Sequence, residues 1–169
     1  MKWEVPPDHV YKVNVDGAFS PAGRSGGWGF VIRNGVGEVL EAGAGKIEWA
    51  QDALQTEALA AMKGLEKASY WGMPRIILET DAANLGCALT SEVWDDSPND
   101  NIFRGLKEFM ASNFTSCIVK VCPRECNRVA DGLASHGRNA APNGEPMFWC
   151  STPSIVRDLV SGDMPVSSN

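Results

Sequence analysis

The chain has 169 residues, 44% hydrophobic and 21% charged, enough apolar material for one domain that folds unaided. No apolar run approaches the roughly 18 residues that span a bilayer, and Met1-Lys2-Trp3-Glu4-Val5-Pro6-Pro7 lacks the apolar core of a signal peptide; an intracellular protein with no membrane partner is expected, nucleus and cytoplasm undistinguished. A net charge of −6 excludes a protein that grips nucleic acid by bulk electrostatics, and five cysteines exclude a fully paired disulfide scaffold.

A first strand is expected over residues 10–16, where Tyr11, Val13 and Val15 alternate with Lys12, Asn14 and Asp16. A turn rich in Gly, Ser and Pro covers residues 17–27. Strands at 28–33 and 38–44 flank Asn34-Gly35-Val36-Gly37, a hairpin signal because Asn and Gly tolerate positive φ. The three strands make an antiparallel meander. A helix is expected over 52–70, capped by Asp52 and stopped by Gly72 and Pro74. Its apolar stripe is Leu54, Ala58, Ala61, Leu65 and Ala68, and Glu57 lies on it; Lys63, Glu66 and Lys67 do not.

A strand at 75–80 leads into a short helix carrying Leu85, Ala88 and Leu89. An acidic loop at 94–100 follows, with Asp95-Asp96 expected to be solvated and Trp94 at least partly buried. A helix around 102–111, a strand at 116–121 and, after Pro123, a last core helix with Val129, Ala130, Leu133 and Ala134, ended by Gly137, complete the pattern. Residues 139–151 read as loop and 154–160 as a small docking helix. The expected organisation is a lead-in at 1–9, a domain at 10–138, and a C-terminal loop, helix and tail at 139–169. The cysteines lack paired metal-ligand spacing and read as buried reduced thiols.

Four carboxylates stand where structural residues are expected. Asp16 and Asp81 end apolar strands, and Glu57 and Asp131 lie at or beside the apolar stripes of two helices. Burying an acidic side chain costs several kcal/mol unless hydrogen bonds or a cation compensate. Strand–helix–strand crossovers make the strands ending at Asp16 and Asp81 parallel neighbours, about 4.8 Å apart. Like charges that close share a proton or a cation. With only two histidines in the chain, an oxygen-ligated Mg²⁺ is favoured over zinc or iron.

These residues carry a resemblance. Lys12-Val13-Asn14-Val15-Asp16-Gly17-Ala18-Phe19, Gly27-Trp28-Gly29-Phe30-Val31-Ile32-Arg33, Thr56-Glu57-Ala58, Leu78-Glu79-Thr80-Asp81 and the segment from Arg124 through Asn127 and Asp131 to Ala134 are similar, in order and spacing, to the ribonuclease H family. The closest likeness is to ribonuclease H-like domains of plant retroelement-derived proteins. The resemblance implies an α/β fold with a mixed five-stranded sheet, an antiparallel meander plus parallel strands, flanked by helices. It implies that Asp16, Glu57, Asp81 and Asp131 are both the catalytic and the metal-binding residues, holding two Mg²⁺ ions with substrate, Mn²⁺ substituting. The implied reaction is hydrolysis of the RNA strand of RNA–DNA hybrids, leaving a 3′-hydroxyl and a 5′-phosphate, with Glu57 near the RNA 2′-hydroxyl.

Substrate contacts are expected from Gly26 and Gly27, through backbone N–H groups in a turn, and from Arg124 and Asn127. Asn127 lies four residues before Asp131 and either orients that carboxylate or caps the helix, capping being favoured. Glu79 is read equally as a neighbour of the site or as solvated. Two departures from the family stand out: the loop Val121-Cys122-Pro123-Arg124-Glu125-Cys126 has no histidine, and the lysine-rich extension of some members is replaced by acidic sequence. Slow turnover, a monomer and a fused or separate reverse transcriptase-like module are expected. The alternative is a weak or inactive domain kept for binding nucleic acid or protein.

Overall fold

The computed structural model describes residues 1–92 and 99–165. The expectations for Trp94 and Asp95-Asp96 lie outside the described residues. The meander forms as β1 (Tyr11–Ser20), β2 (Ser25–Arg33) and β3 (Val39–Ile47). Asn34 shapes the turn between β2 and β3: its Oδ1 accepts from the backbone N–H groups of Val36 and Glu38, and Gly37 takes φ +82°. Helix α1 (Ala53–Tyr70) starts at the expected cap, the Asp52 carboxylate accepting from Gln55 N–H at 2.8 Å, and ends before Gly72 at φ +70°.

Strand β4 (Arg75–Thr80) pairs parallel to β1; helices α2 (Ala83–Thr90) and α3 (Asp100–Asn113) follow, and β5 (Ser116–Val121) pairs parallel to β4. Helix α4 (Arg128–Arg138), β6 (Met147–Trp149) and α5 (Arg157–Asp163) complete the chain, and the strand order is β5-β4-β1-β2-β3-β6. The mixed sheet with flanking helices is as expected, but among the described residues it has six strands rather than five. The extra strand is β6, inside the expected loop, pairing Ala42 with Trp149 and Ala44 with Met147. Three residues are too few for alternation to announce a strand.

Helix α1 covers one face of the sheet, where Val13, Val15, Phe30, Ile32 and Leu78 meet Ala58, Ala61 and Leu65. Burying a leucine such as Leu65 contributes about 2 kcal/mol. Helix α4 covers the other face, where Val31, Val39, Ala42 and Ala44 meet Val129, Leu133 and Val156. Among the described residues no helix is long and apolar enough to cross a membrane. Cys122 and Cys126 are buried and Cys117 half-buried, and burial pushes Cys117 up to about 11 and Cys122 up to about 12; Cys87 and Cys150 are exposed, contrary to expectation.

Three expectations about backbone change. Strand β1 runs past Asp16, so the turn shrinks to residues 21–24. Gly26 and Gly27 therefore lie inside β2, paired with Phe19 and Ala18 on one side and with Ile47 and Lys46 on the other. Gly137 does not end α4 but sits within it, against the backbone of Gly45. At Gly27 glycine is required by close approach, since a methyl there would collide with the α4 backbone at Ala134 and Arg138. Gly27→Ala is expected to destabilise the fold by about 2–3 kcal/mol, the cost of overpacking a site that cannot give way; urea unfolding monitored by tryptophan fluorescence checks this.

Candidate metal and active site

The site forms where β1 outlasts its parallel partner. Pairing between β1 and β4 runs from Tyr11↔Ile76 to Asn14↔Glu79, whereas β1 continues to Ser20 beside β2 alone. Continuing that register by two residues sets Asp16 level with Asp81, which follows the end of β4. This carboxyl edge of parallel strands is where open α/β sheets place ligands. Glu57 comes from the second turn of α1. Gly17 N–H donates to Glu57 Oε2 at 2.9 Å and to Asp16 Oδ1 at 3.0 Å. A side chain at Gly17 would collide with the α1 backbone at Thr56 and Glu57, so glycine lets the helix come this close.

One carboxylate oxygen from each of Asp16, Glu57 and Asp81 lies within 4.8 Å of the other two. Asp131, in the first turn of α4, is not part of that trio, but its charge acts on all three. Asp16 is 6% exposed, and the other three are half-buried.

Burial is the leading cause that holds Asp16 well above the usual carboxylate range, reinforced by the charges of Glu57, Asp81 and Asp131. Glu57 is also raised, first by burial, while hydrogen bonds from Asp16 and Gly17 N–H draw it partly back. Asp81 is raised by burial; the Asn127 side chain, its own backbone N–H and the charge of Arg124 oppose the shift. A group of carboxyls that burial and mutual repulsion push toward protonation, with oxygen donors and neither histidine nor cysteine in the trio, fits a hard divalent cation.

Of the expected substrate contacts, Arg124 is exposed beside Asp81, in a 3-10 turn at Arg124–Cys126. Gly26 and Gly27 lie in a strand paired on both sides rather than in the expected turn. The capping expected of Asn127 is corrected. The residue stands at the start of α4 without a side-chain capping bond, is 1% exposed, and donates through Nδ2 to the Val15 carbonyl at 3.0 Å. Glu79 is not solvated: it pairs with Lys12 at 3.3 Å and accepts from Asn14 Nδ2 at 3.0 Å. Asn14 and Lys12 were not read as site residues, although their alternation with Val13 and Val15 placed them on one face with Asp16.

Since the unfolded chain titrates in the ordinary carboxylate range, raised folded-state values make ionisation favour unfolding. The metal-free protein is expected to lose stability as pH rises from about 4 toward neutrality. Asp16→Asn, which cannot ionise, should be more stable than wild type at pH 7 by on the order of 2 kcal/mol without metal, and should lose the stabilisation by divalent cation seen in wild type. Melting curves at pH 5 and pH 7.5, with and without Mg²⁺, check both.

Residues 14–137 match the family model described as reverse transcriptase-like. No curated protein matches the chain. Among solved structures, RNase H1 of the halophilic archaeon Halobacterium salinarum superposes with a TM-score of 0.70 at 26% identity, over 78% of this chain and 99% of that one. The N-terminal RNase H domain of a Mycobacterium tuberculosis protein gives 0.70 at 22% identity, over 79% and 96%. An RNase H1 from compost, in complex with RNA/DNA hybrid, gives 0.67 at 17% identity, over 76% and 96%. The matched residues span most of the sequence, and the chain belongs to the reverse transcriptase-like family, with the ribonuclease H fold.

Proposed function

We propose that the chain is a divalent-cation-dependent endoribonuclease that cuts the RNA strand of RNA–DNA hybrids. The observation that carries this reading is the carboxylate trio within 4.8 Å, at the carboxyl edge of the sheet in a ribonuclease H fold. Asp16, Glu57 and Asp81 would hold Mg²⁺, or Mn²⁺ in its place, with Asp131 as a further ligand and two ions present with substrate. Such ions activate water and stabilise the leaving oxygen in phosphodiester hydrolysis.

The chain's own groups prepare that chemistry. Gly17 N–H orients the carboxylates of Asp16 and Glu57 together. Asn127 and Arg124 favour the charged form of Asp81. Exposed Arg124 adds a cation beside an otherwise acidic site, where it can meet a substrate phosphate. Being charged at all working pH values, it cannot act as the base that a histidine would supply, so turnover is slow. The solved complex with RNA/DNA hybrid supports the substrate class, and a reverse transcriptase-like module as a fused or separate partner is part of the same reading. The likeness to plant retroelement-derived domains belongs to the same reading, as does a monomeric state.

The missing histidine and the acidic charge favour a second reading, a weak or inactive domain that binds hybrid or protein without cutting. Cleavage of a labelled hybrid in Mg²⁺ and in Mn²⁺ separates the two. Wild type is expected to yield products with 3′-hydroxyl and 5′-phosphate ends, and Asp16→Asn to be slower by about a thousandfold or more. Folded wild type that retains hybrid in a gel shift but cuts it in neither metal would leave the binding module standing.

A further inference from the structure

Behind the site, on the face covered by α4, side chains from both ends of the chain converge on Asn14. Its Oδ1 accepts from Trp3 Nε1 at 2.9 Å and from Arg33 Nη2 at 3.2 Å. Arg33, 1% exposed, lies 3.7 Å from the centre of the Trp3 ring and pairs with Asp163 of α5 at 2.7 Å. Trp3 and Arg33 carry hydrogens only, so they require the oxygen of Asn14 on their side. Asn14 Nδ2 is then turned the other way, donating to Glu79 Oε1 at 3.0 Å and to Asn127 Oδ1 at 3.1 Å. With its oxygen thus occupied, Asn127 can present only its Nδ2 hydrogens to the site. They go to the carbonyl of Val15, the residue before Asp16, at 3.0 Å, and the same amide favours the charged form of Asp81.

We propose that Trp3 and the Arg33–Asp163 ion pair are positioning residues for the metal site, holding Asp81 and the Asp16 backbone through the two amides of Asn14 and Asn127. The inference rests on reading Asp16, Glu57 and Asp81 as cation ligands. Each member of the relay has one permitted hydrogen-bonding sense, set at the far end by groups that cannot accept. A carbonyl turned toward Asp81 would repel the carboxylate and weaken the site. Trp3 and Asp163 lie outside residues 14–137, so the lead-in and α5 add to this chain a support that the matched region does not contain. Lys12 strengthens the same anchor, donating from Nζ to the Glu4 carbonyl at 2.6 Å while pairing with Glu79 at 3.3 Å.

The test is a Mg²⁺ titration of the ¹⁵N-labelled full chain by NMR. Coupling is reciprocal, so a relay that sets metal affinity must report metal binding at its far end. The Trp3 indole N–H signal, identified by its loss in Trp3→Phe, is expected to shift with the same midpoint as the Gly17 backbone signal. Trp3→Phe combined with Asp163→Asn, both close in shape to the originals, is expected to raise the Mg²⁺ dissociation constant about tenfold, as loss of groups that orient metal ligands does. The affinity is read well below the metal-free melting temperature, so a purely structural contribution leaves it unchanged. If the combined variant does not fold, each single variant is expected to weaken Mg²⁺ binding severalfold. A stationary Trp3 signal while Gly17 shifts, or wild-type affinity in the folded variants, overturns the relay alone. A Gly17 signal that Mg²⁺ does not move overturns the metal site, and the relay with it.

Discussion

Three carboxylates held within 4.8 Å of one another, partly out of water, repel each other and resist ionisation. A chain selected only for folding would not keep them together, and the surrounding structure is arranged to hold them there. Parallel pairing of β1 with β4 sets the level of Asp16 against Asp81, and the early end of β4 leaves room beside them. Gly17 lets α1 come close enough for Glu57 to share its N–H with Asp16. The tension this creates is relieved by protons or by a cation. That choice links the electrostatics of the site to its chemistry.

The polar layer behind the site follows the opposite rule. Lys12 stands opposite Arg33 in the pairing of β1 with β2, two cations that would repel if left alone. Glu79 and Asp163 answer them, and Asn14 connects the two pairs. Buried ion pairs seldom add net stability, because desolvation offsets much of their attraction. Their retention here is better explained by orientation: every donor and acceptor in the relay has one sense, and that sense ends at Asp81 and the backbone before Asp16.

Much of this was legible in the sequence. The alternation in β1, the Asp52 cap and the Gly72 stop each rest on a local rule, and each local rule survives in the fold. What was not legible depends on pairing across distance. Polar alternation in residues 10–16 reads as a half-solvated strand, but α4 and the lead-in residues Trp3 and Glu4 cover that face, so Lys12 and Asn14 are buried. Glycines in β2 read as a turn because composition does not distinguish a bend from a close approach; Gly27 is glycine because α4 lies on it. Asn127 looked like a cap because capping is what asparagine does before a helix. The contacts with Asn14 and with the Val15 carbonyl, 113 and 112 residues away, turn its side chain inward.

The central claim is that the trio of Asp16, Glu57 and Asp81 exchanges protons for a divalent cation. Calorimetric titration with Mg²⁺ in buffers of different ionisation enthalpy counts the protons released on binding. At pH 7 the account predicts binding with close to one proton released per protein, both lost in Asp16→Asn. Binding without proton release, or no binding to the folded protein at all, would contradict it.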